Sequence, residues 1–135
     1  MRYLIQTYAS QQDYEAMAGI ETAQPAWTPA QLTAMTEFMT QLNADLVASG
    51  ELIEARGLAA PSETRQVRGQ GNAPVVTVSP YPADQPVLAG YWVVECDSID
   101  RAVEIAAWLG DCPLPEQAVP HAFADVRPIS DAPPE

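Results

Sequence analysis

The chain has no lysine. Its six basic residues are all arginine, whereas 18 residues are acidic and the formal net charge is -12. A nucleic-acid surface needs clustered cations to neutralise phosphates, and arginines scattered through the chain do not form such a cluster. The same shortage argues against binding to an anionic membrane surface. The composition therefore predicts neither direct nucleic-acid binding nor membrane association.

Histidine and cysteine are also scarce. His121 is the only histidine, and Cys96 and Cys112 lack metal-ligand spacing, so the sequence predicts no metal site and two reduced thiols. No glycine-rich phosphate loop lies between a strand and a helix, and no cofactor is expected. No apolar run reaches the roughly 20 residues of a membrane span. The first residues, MRYLIQTYAS, lack the long apolar core of a signal peptide, so we expect a cytoplasmic protein.

The strongest structural pattern lies in residues 87–109, VLAGYWVVECDSIDRAVEIAAWL. Residues 87–96 alternate as a strand whose two faces are both largely apolar, so both faces should be covered. Asp97 and Ser98 are candidate N-caps, and the apolar residues that follow recur at helical spacing. We expect Gly110 to end this helix, because glycine tolerates the left-handed backbone of a C′ residue.

The rest of the chain supplies further elements. Thr28, Pro29 and Gln31 form a capping-box start for a helix with one apolar stripe, which Gly50 ends. Residues 10–27 are interpreted as a loop with a short helical turn near 14–17. The β-prone segments are 2–9, 51–58, a hairpin of 63–68 and 73–78, and 122–127. Proline interrupts 79–86, and 113–120 is interpreted as a loop.

The order of these elements predicts an α+β fold. Without the hairpin it is β-α-β-β-α-β, which is typical of a ferredoxin-like sandwich. Two helices would cover one face of the sheet, and the other face is apolar enough to need a partner. We therefore expect a homodimer that forms through the sheet. A single domain is predicted for residues 1–128 and a flexible tail for 129–135.

The sequence resembles the YCII-related proteins, specifically their branch with a DGPF-type signature. The matching stretches run from RYLIQTYA to ADVRPI and include SGELIEARGLAAPSETRQVR and LAGYWVVECDSIDRAVEIAA. Their order and spacing carry the resemblance. It implies a ferredoxin-like α+β fold that dimerises through its sheet.

The signature loop departs from that branch. Where the branch usually has Asp-Gly-Pro-Phe followed by Ala-Glu, this chain has Val78-Ser79-Pro80-Tyr81-Pro82-Ala83, and Asp84 lies one place beyond the usual acid. In other members of the wider family a His–Asp pair near the first helix is proposed to act in acid–base chemistry. This chain has no histidine there.

Five side chains are candidates for a site. Tyr81 and Asp84 project from the proline-stiffened loop, which we expect to border a concave pocket beside the first or last strand. Arg56 and Arg127 could grip an anionic ligand, although exposed ion pairs within their own strands are the alternative. His121 and Asp84 are the candidates for moving protons, with a structural or solvated role for His121 as the alternative.

Two functions follow from these observations. The first is a non-catalytic or regulatory dimer that binds a small molecule or a protein, which the departing loop and the missing His–Asp pair favour. The second is a small lyase, isomerase or hydrolase that acts on an anionic substrate. In that case His121 or Asp84 would transfer protons, and Arg56 or Arg127 would hold the substrate.

Overall fold

A computed structural model describes residues 1–69 and 71–131 of the chain. Its main sheet is antiparallel and has four strands in the order β2-β5-β1-β6. A separate hairpin pairs β3 with β4. The strand bounds are β1 Arg2–Ala9, β2 Leu52–Gly57, β3 Arg65–Arg68, β4 Val75–Val78, β5 Val87–Glu95 and β6 Ala124–Pro128. The α+β class is thus confirmed.

The two longer helices cover one face of the main sheet. They are α2, Pro29–Ala48, and α3, Ile99–Trp108, and a shorter α1 spans Gln11–Met17. The buried core joins β1 and β5 to α2 and α3, and it consists of Tyr3, Ile5, Leu42, Leu46, Trp92, Val94, Ala102 and Ile105. Trp92 faces the helices, where its indole N–H donates to Asn43 Oδ1 at 2.7 Å. Trp92 therefore belongs to the core and not to the uncovered face.

The start and end of α2 follow the sequence prediction. Thr28 Oγ1 accepts a hydrogen bond from Gln31 N–H, and Gln31 Oε1 accepts one from Thr28 N–H, which completes the capping box. Gly50 follows the helix with φ of +78°, a left-handed conformation that costs glycine little. At α3, Ser98 is the residue that caps, because its hydroxyl accepts from Arg101 N–H at 3.2 Å.

Helix α1 extends the short helical turn that was predicted near 14–17 and corrects the first part of the loop predicted for residues 10–27. Ser10 caps the helix, and its hydroxyl accepts from Asp13 N–H while Asp13 Oδ2 accepts from Ser10 N–H. Tyr14 on the same helix donates its hydroxyl to the Leu58 carbonyl at 2.8 Å. Gln12 N–H donates to the Ala83 carbonyl, so α1 is also tied to the proline-rich loop. These long-range bonds explain why two turns of helix form where the sequence is weakly periodic.

Two further predictions about local structure were wrong. Gly110 directly follows the C-cap residue Leu109, as predicted, but it does not adopt a left-handed backbone, because a 3₁₀ turn at Leu109–Asp111 continues from α3. The predicted loop at 113–120 contains a second 3₁₀ segment, Glu116–His121. Both turns have i→i+3 backbone bonds, which let a short chain segment fold back toward the sheet.

The second face of the main sheet is not covered by any helix among the described residues. Leu4, Tyr91 and Val93 are half-buried there, and polar side chains surround them. On this open face, the strand register aligns side chains in two rows, each of which crosses β2, β5, β1 and β6 in that order. The first row is Glu54, Val93, Leu4 and Arg127. The second row, two residues further along each strand, is Arg56, Tyr91, Gln6 and Asp125. Opposite charges thus lie at the two edges of each row.

Some predicted segments fall at the limits of the described residues. Gln70 in the hairpin link and residues 132–135 of the predicted tail lie outside them. Before that point, Ile129 N–H donates to the Arg2 carbonyl at 2.9 Å, so backbone pairing continues one residue past β6. Within residues 1–69 and 71–131, no helix has the length and apolarity needed to cross a membrane.

Candidate functional site

A cavity of about 380 Å³ lies on the helix side of the sheet. Its floor is the end of β1 and the start of β6, which meet at one edge because these strands are antiparallel. Side chains of α2 and residues at the end of α3 form the walls. Asp13 and Met17 of α1 and the segment that ends at His121 complete the lining. The volume is within the usual range of small-molecule sites, roughly 300–1,000 Å³.

The walls of this pocket are mainly apolar. Met17, Met35 and Met39 contribute flexible thioethers, while Trp27 and Leu114 add rigid apolar surface. Methionine adapts its shape to what it contacts, so such a wall accommodates ligands of different outline. The lining contains no arginine.

Asp13 and His121 meet in this pocket. His121 Nδ1 lies 2.5 Å from Asp13 Oδ2, although the two residues are 108 positions apart in the chain. The Asp13 side chain is 9% exposed and the His121 side chain 23% exposed, so the pair is shielded but reachable from the pocket. Asp13 comes from the capping box of α1, and His121 from the 3₁₀ segment before β6.

Several hydrogen bonds hold Asp13 as a carboxylate. Burial by itself would raise its pKa, but hydrogen bonds from Ser10 N–H, His121 and Gln24 outweigh that effect, and the Asp13 pKa is lowered from 3.8. Gln24 Nε2 donates to Asp13 Oδ1 at 2.8 Å. Because a carboxylate only accepts, His121 Nδ1 must carry the hydrogen. In the neutral ring, Nε2 is then an unprotonated acceptor.

Cys112 also lines the pocket. Its side chain is buried, and burial raises the pKa of the thiol. A neutral thiol is a poor nucleophile, so the raised pKa favours a role for Cys112 as apolar surface of the pocket. Cys96, which lies at the far end of β5, is likewise a free thiol with a pKa that burial raises.

The structure separates the residues that the sequence singled out. His121 lines the pocket, but Asp84 and Tyr81 do not. Asp84 is exposed, and the loop that carries it packs on the start of α1 through the Ala83 carbonyl. Arg56 and Arg127 lie on the open face of the sheet. Arg56 pairs there with Glu54 at 3.2 Å, as the ion-pair interpretation expects.

His121 does not pair with Asp125, the acid nearest to it on the last strand. Asp125 instead accepts a hydrogen bond from the Tyr8 hydroxyl at 2.7 Å. This bond is the first cause of a raised Tyr8 pKa. Tyr8 also stacks on Phe123, with ring centroids 5.0 Å apart.

Sequence reasoning missed Asp13, the partner of the histidine. The signal that could have found it is the pattern Ser10-Gln11-Gln12-Asp13, a capping box of the same kind as the one at Thr28. A capping box would have placed a helix, and an ordered carboxylate, directly after β1. Among the described residues, no group of three or more histidine, cysteine or acidic side chains is arranged to hold a metal ion.

Comparison with known proteins identifies one family. The model of the YCII-related domain matches residues 1–127. No curated protein matches the chain.

Proposed function

The chain belongs to the YCII-related family, and from that premise we propose that it binds a small molecule in the His121 pocket and transfers a proton there. One observation carries this proposal: the 2.5 Å contact between His121 Nδ1 and Asp13 Oδ2 inside an apolar cavity of about 380 Å³. The reaction class is proton abstraction or donation, as in an isomerisation, elimination or hydrolysis.

Each residue of the pair has a distinct role in this proposal. Asp13 accepts the Nδ1 hydrogen, which fixes the orientation and tautomer of the ring and stabilises the imidazolium that forms. His121 Nε2 then removes a proton from the bound molecule and can return it to another atom. The apolar walls and the partial burial of both side chains reduce the solvent screening of the charge that develops.

The missing His–Asp pair was the main reason to favour a non-catalytic protein. The fold brings His121 to the first helix from the far end of the chain, so this reason no longer holds. A regulatory protein that binds its ligand in the same pocket without chemistry remains the second candidate. The apolar lining favours the binding of a small molecule under either function.

A base-catalysed elimination separates the two candidates. 5-Nitrobenzisoxazole is neutral and aromatic; when a base removes its carbon-bound hydrogen, the C–H electrons form the nitrile and the N–O bond breaks to give a coloured phenolate. We expect the wild type to accelerate this reaction, and His121→Gln to be slower by roughly 100-fold, the lower range for a positioned base. Asp13→Asn should be intermediate, because the ring keeps Nε2 but loses its anionic partner.

Asp84→Asn is the matched control, since Asp84 is exposed and outside the pocket. It should leave the elimination rate unchanged. Equal rates for the wild type and His121→Gln would refute proton transfer. If the reagent then still bound in the pocket, a binding function without chemistry would be supported.

We further propose that the fold is ferredoxin-like and that two copies pack through their open sheet faces. The strand order β2-β5-β1-β6 supports the first part. The charge pattern supports the second. A two-fold axis parallel to the strands would place Glu54 opposite Arg127 of the second copy, and Arg56 opposite Asp125. The half-buried side chains of Leu4, Tyr91 and Val93 would then meet between these charged pairs. The DGPF-type branch and a cytoplasmic location stay predictions.

Sedimentation of charge variants tests this arrangement. Arg127→Glu would place two acids opposite each other twice in the dimer, so we expect dissociation at micromolar concentration. Glu54→Arg should have the same effect, and the double variant should restore the dimer. A wild type that sediments as the 14.6 kDa monomer at all concentrations would contradict the proposal.

A further inference from the structure

Apart from His121 itself, the described residues that line the His121 pocket are acidic or neutral. The pocket lining contains the Asp13 carboxylate and no arginine. Arg2, Arg56 and Arg101 are each paired with an acid elsewhere on the molecule. Moving an anion from water into an apolar site without a cation to meet it is strongly unfavourable. The nearby Asp13 charge and the net charge of -12 oppose an anion further.

The Asp13 carboxylate is also poorly placed to meet a cation, because most of its acceptor sites are already occupied. Asp13 Oδ2 accepts from Ser10 N–H at 2.8 Å and faces His121 Nδ1, while Oδ1 accepts from Gln24. A bound ammonium would have to compete with these donors for a side chain that is 9% exposed and already accepts three hydrogen bonds. Because Nδ1 faces Asp13, the polar atom that the pair offers to a ligand is His121 Nε2, which accepts a hydrogen bond when the ring is neutral.

The volume sets the size of the ligand. A dry cavity of about 150 Å³ holds a benzene ring of six carbon atoms. With a similar cavity volume per ligand atom, a cavity of about 380 Å³ holds roughly 10–15 non-hydrogen atoms. Methionine side chains on two walls allow the outline of the ligand to vary.

We infer that this pocket selects a neutral, mainly apolar molecule of this size that carries one hydrogen-bond donor or acidic hydrogen directed at His121 Nε2. This inference rests on the proposed function and deepens it, because it replaces the anionic substrate that the sequence suggested with an uncharged one. It also makes the arginines of the open sheet face unnecessary for binding.

Three probes with one skeleton and different charges test the inference. They are 2-naphthalenemethanol, 2-naphthoate and 2-naphthylmethylamine, and their binding is measured by titration calorimetry and by chemical-shift changes of the His121 ring. Because the chain has one histidine, its ring signals are assigned without ambiguity. We expect the alcohol to bind at least roughly tenfold more tightly than either charged probe, since each of these must lose hydration without a compensating partner.

An added cation provides the matched test. Met35→Arg places a guanidinium in the pocket wall, whereas Ala44→Arg adds the same charge to an exposed position of α2 outside the pocket. Met35→Arg should reverse the preference in favour of the carboxylate, and Ala44→Arg should retain the wild-type preference. A change of equal size in both variants would mean that net charge, and not the pocket, decides the preference.

The outcomes separate this inference from the proposed function. If the wild type prefers the carboxylate or the amine and the His121 signals shift, the pocket binds ligands but the neutral class is wrong. If no probe binds and the His121 signals stay unchanged, both the ligand class and the pocket's role are overturned. If the alcohol binds tightly but the wild type and His121→Gln eliminate at equal rates, the neutral ligand class is supported and proton transfer is refuted.

Discussion

Replacing Asp13 with asparagine isolates the interaction on which the site depends. The side chain is almost isosteric, so the change removes the negative charge without leaving a cavity. Asp13 accepts from Ser10 N–H and Gln24 Nε2 at 2.8 Å each and from His121 Nδ1 at 2.5 Å. An asparagine has one acceptor oxygen, so it can accept at most the two bonds on one side.

The expected loss of stability follows from these bonds. Hydrogen bonds to a charged group contribute about 1.5–3 kcal/mol each, against about 0.5–1.5 kcal/mol for neutral ones. The loss is reduced because a buried charge no longer has to be desolvated, an effect that acts against the ionised form. We therefore expect Asp13→Asn to lower the free energy of unfolding by about 2 kcal/mol at neutral pH.

The loss should depend on pH in a defined direction. The Asp13 pKa is lower in the folded protein than its ordinary value of 3.8. The stabilisation is therefore complete above 3.8 and disappears as the pH falls through the lower folded value. The difference in stability between Asp13→Asn and the wild type should therefore close as the pH falls through that folded value.

Urea unfolding followed by tryptophan fluorescence at a series of pH values measures this difference. Other carboxyl groups titrate in the same range, but they are shared by both proteins and cancel in the comparison. Asp84→Asn, at an exposed loop position, is the control and should match the wild type throughout. Equal stability of Asp13→Asn and the wild type at neutral pH would refute the reasoning, as would a difference that persists in strong acid.

Three further predictions follow from particular contacts. Nitrogen NMR of the single histidine should show the Nδ1–H tautomer of His121 when the ring is neutral, and the Nε2–H form would contradict the contact with Asp13. Trp92→Phe removes the 2.7 Å bond to Asn43 Oδ1. It should cost about 2 kcal/mol in urea unfolding, because the half-buried acceptor loses its partner. Ser79 has φ of +52°, at the position where the DGPF-type branch usually has glycine. Ser79→Gly should raise the free energy of unfolding by about 0.5 kcal/mol, because glycine adopts this backbone conformation at little cost. A loss of stability would show that the serine side chain compensates for the strain of its backbone.

Local sequence signals determined most of the secondary structure. Alternation of apolar residues located β1 and β5, and the capping box at Thr28 with Gly50 beyond the helix located α2. These features depend on residues within a few positions of one another, so a sequence pattern contains them. Helix α1 was missed even though Ser10 and Asp13 form the same kind of box. There the weak apolar periodicity outweighed the capping signal in the interpretation.

The tertiary structure alone decided which residues form the site. The acid nearest to His121 in the sequence is Asp125 of β6, and the other residue predicted to move protons was Asp84 on the proline-rich loop. The fold instead gives it Asp13, because antiparallel pairing of β1 with β6 brings the end of one strand beside the start of the other. The strand pattern also could not say which face of β5 the helices would cover. Alternation shows which residues share a face, but the connections and the packing of α2 and α3 determine which face is buried. As a result, Trp92 lies in the core, and the pocket lies on the opposite side of the sheet from Arg56 and Arg127.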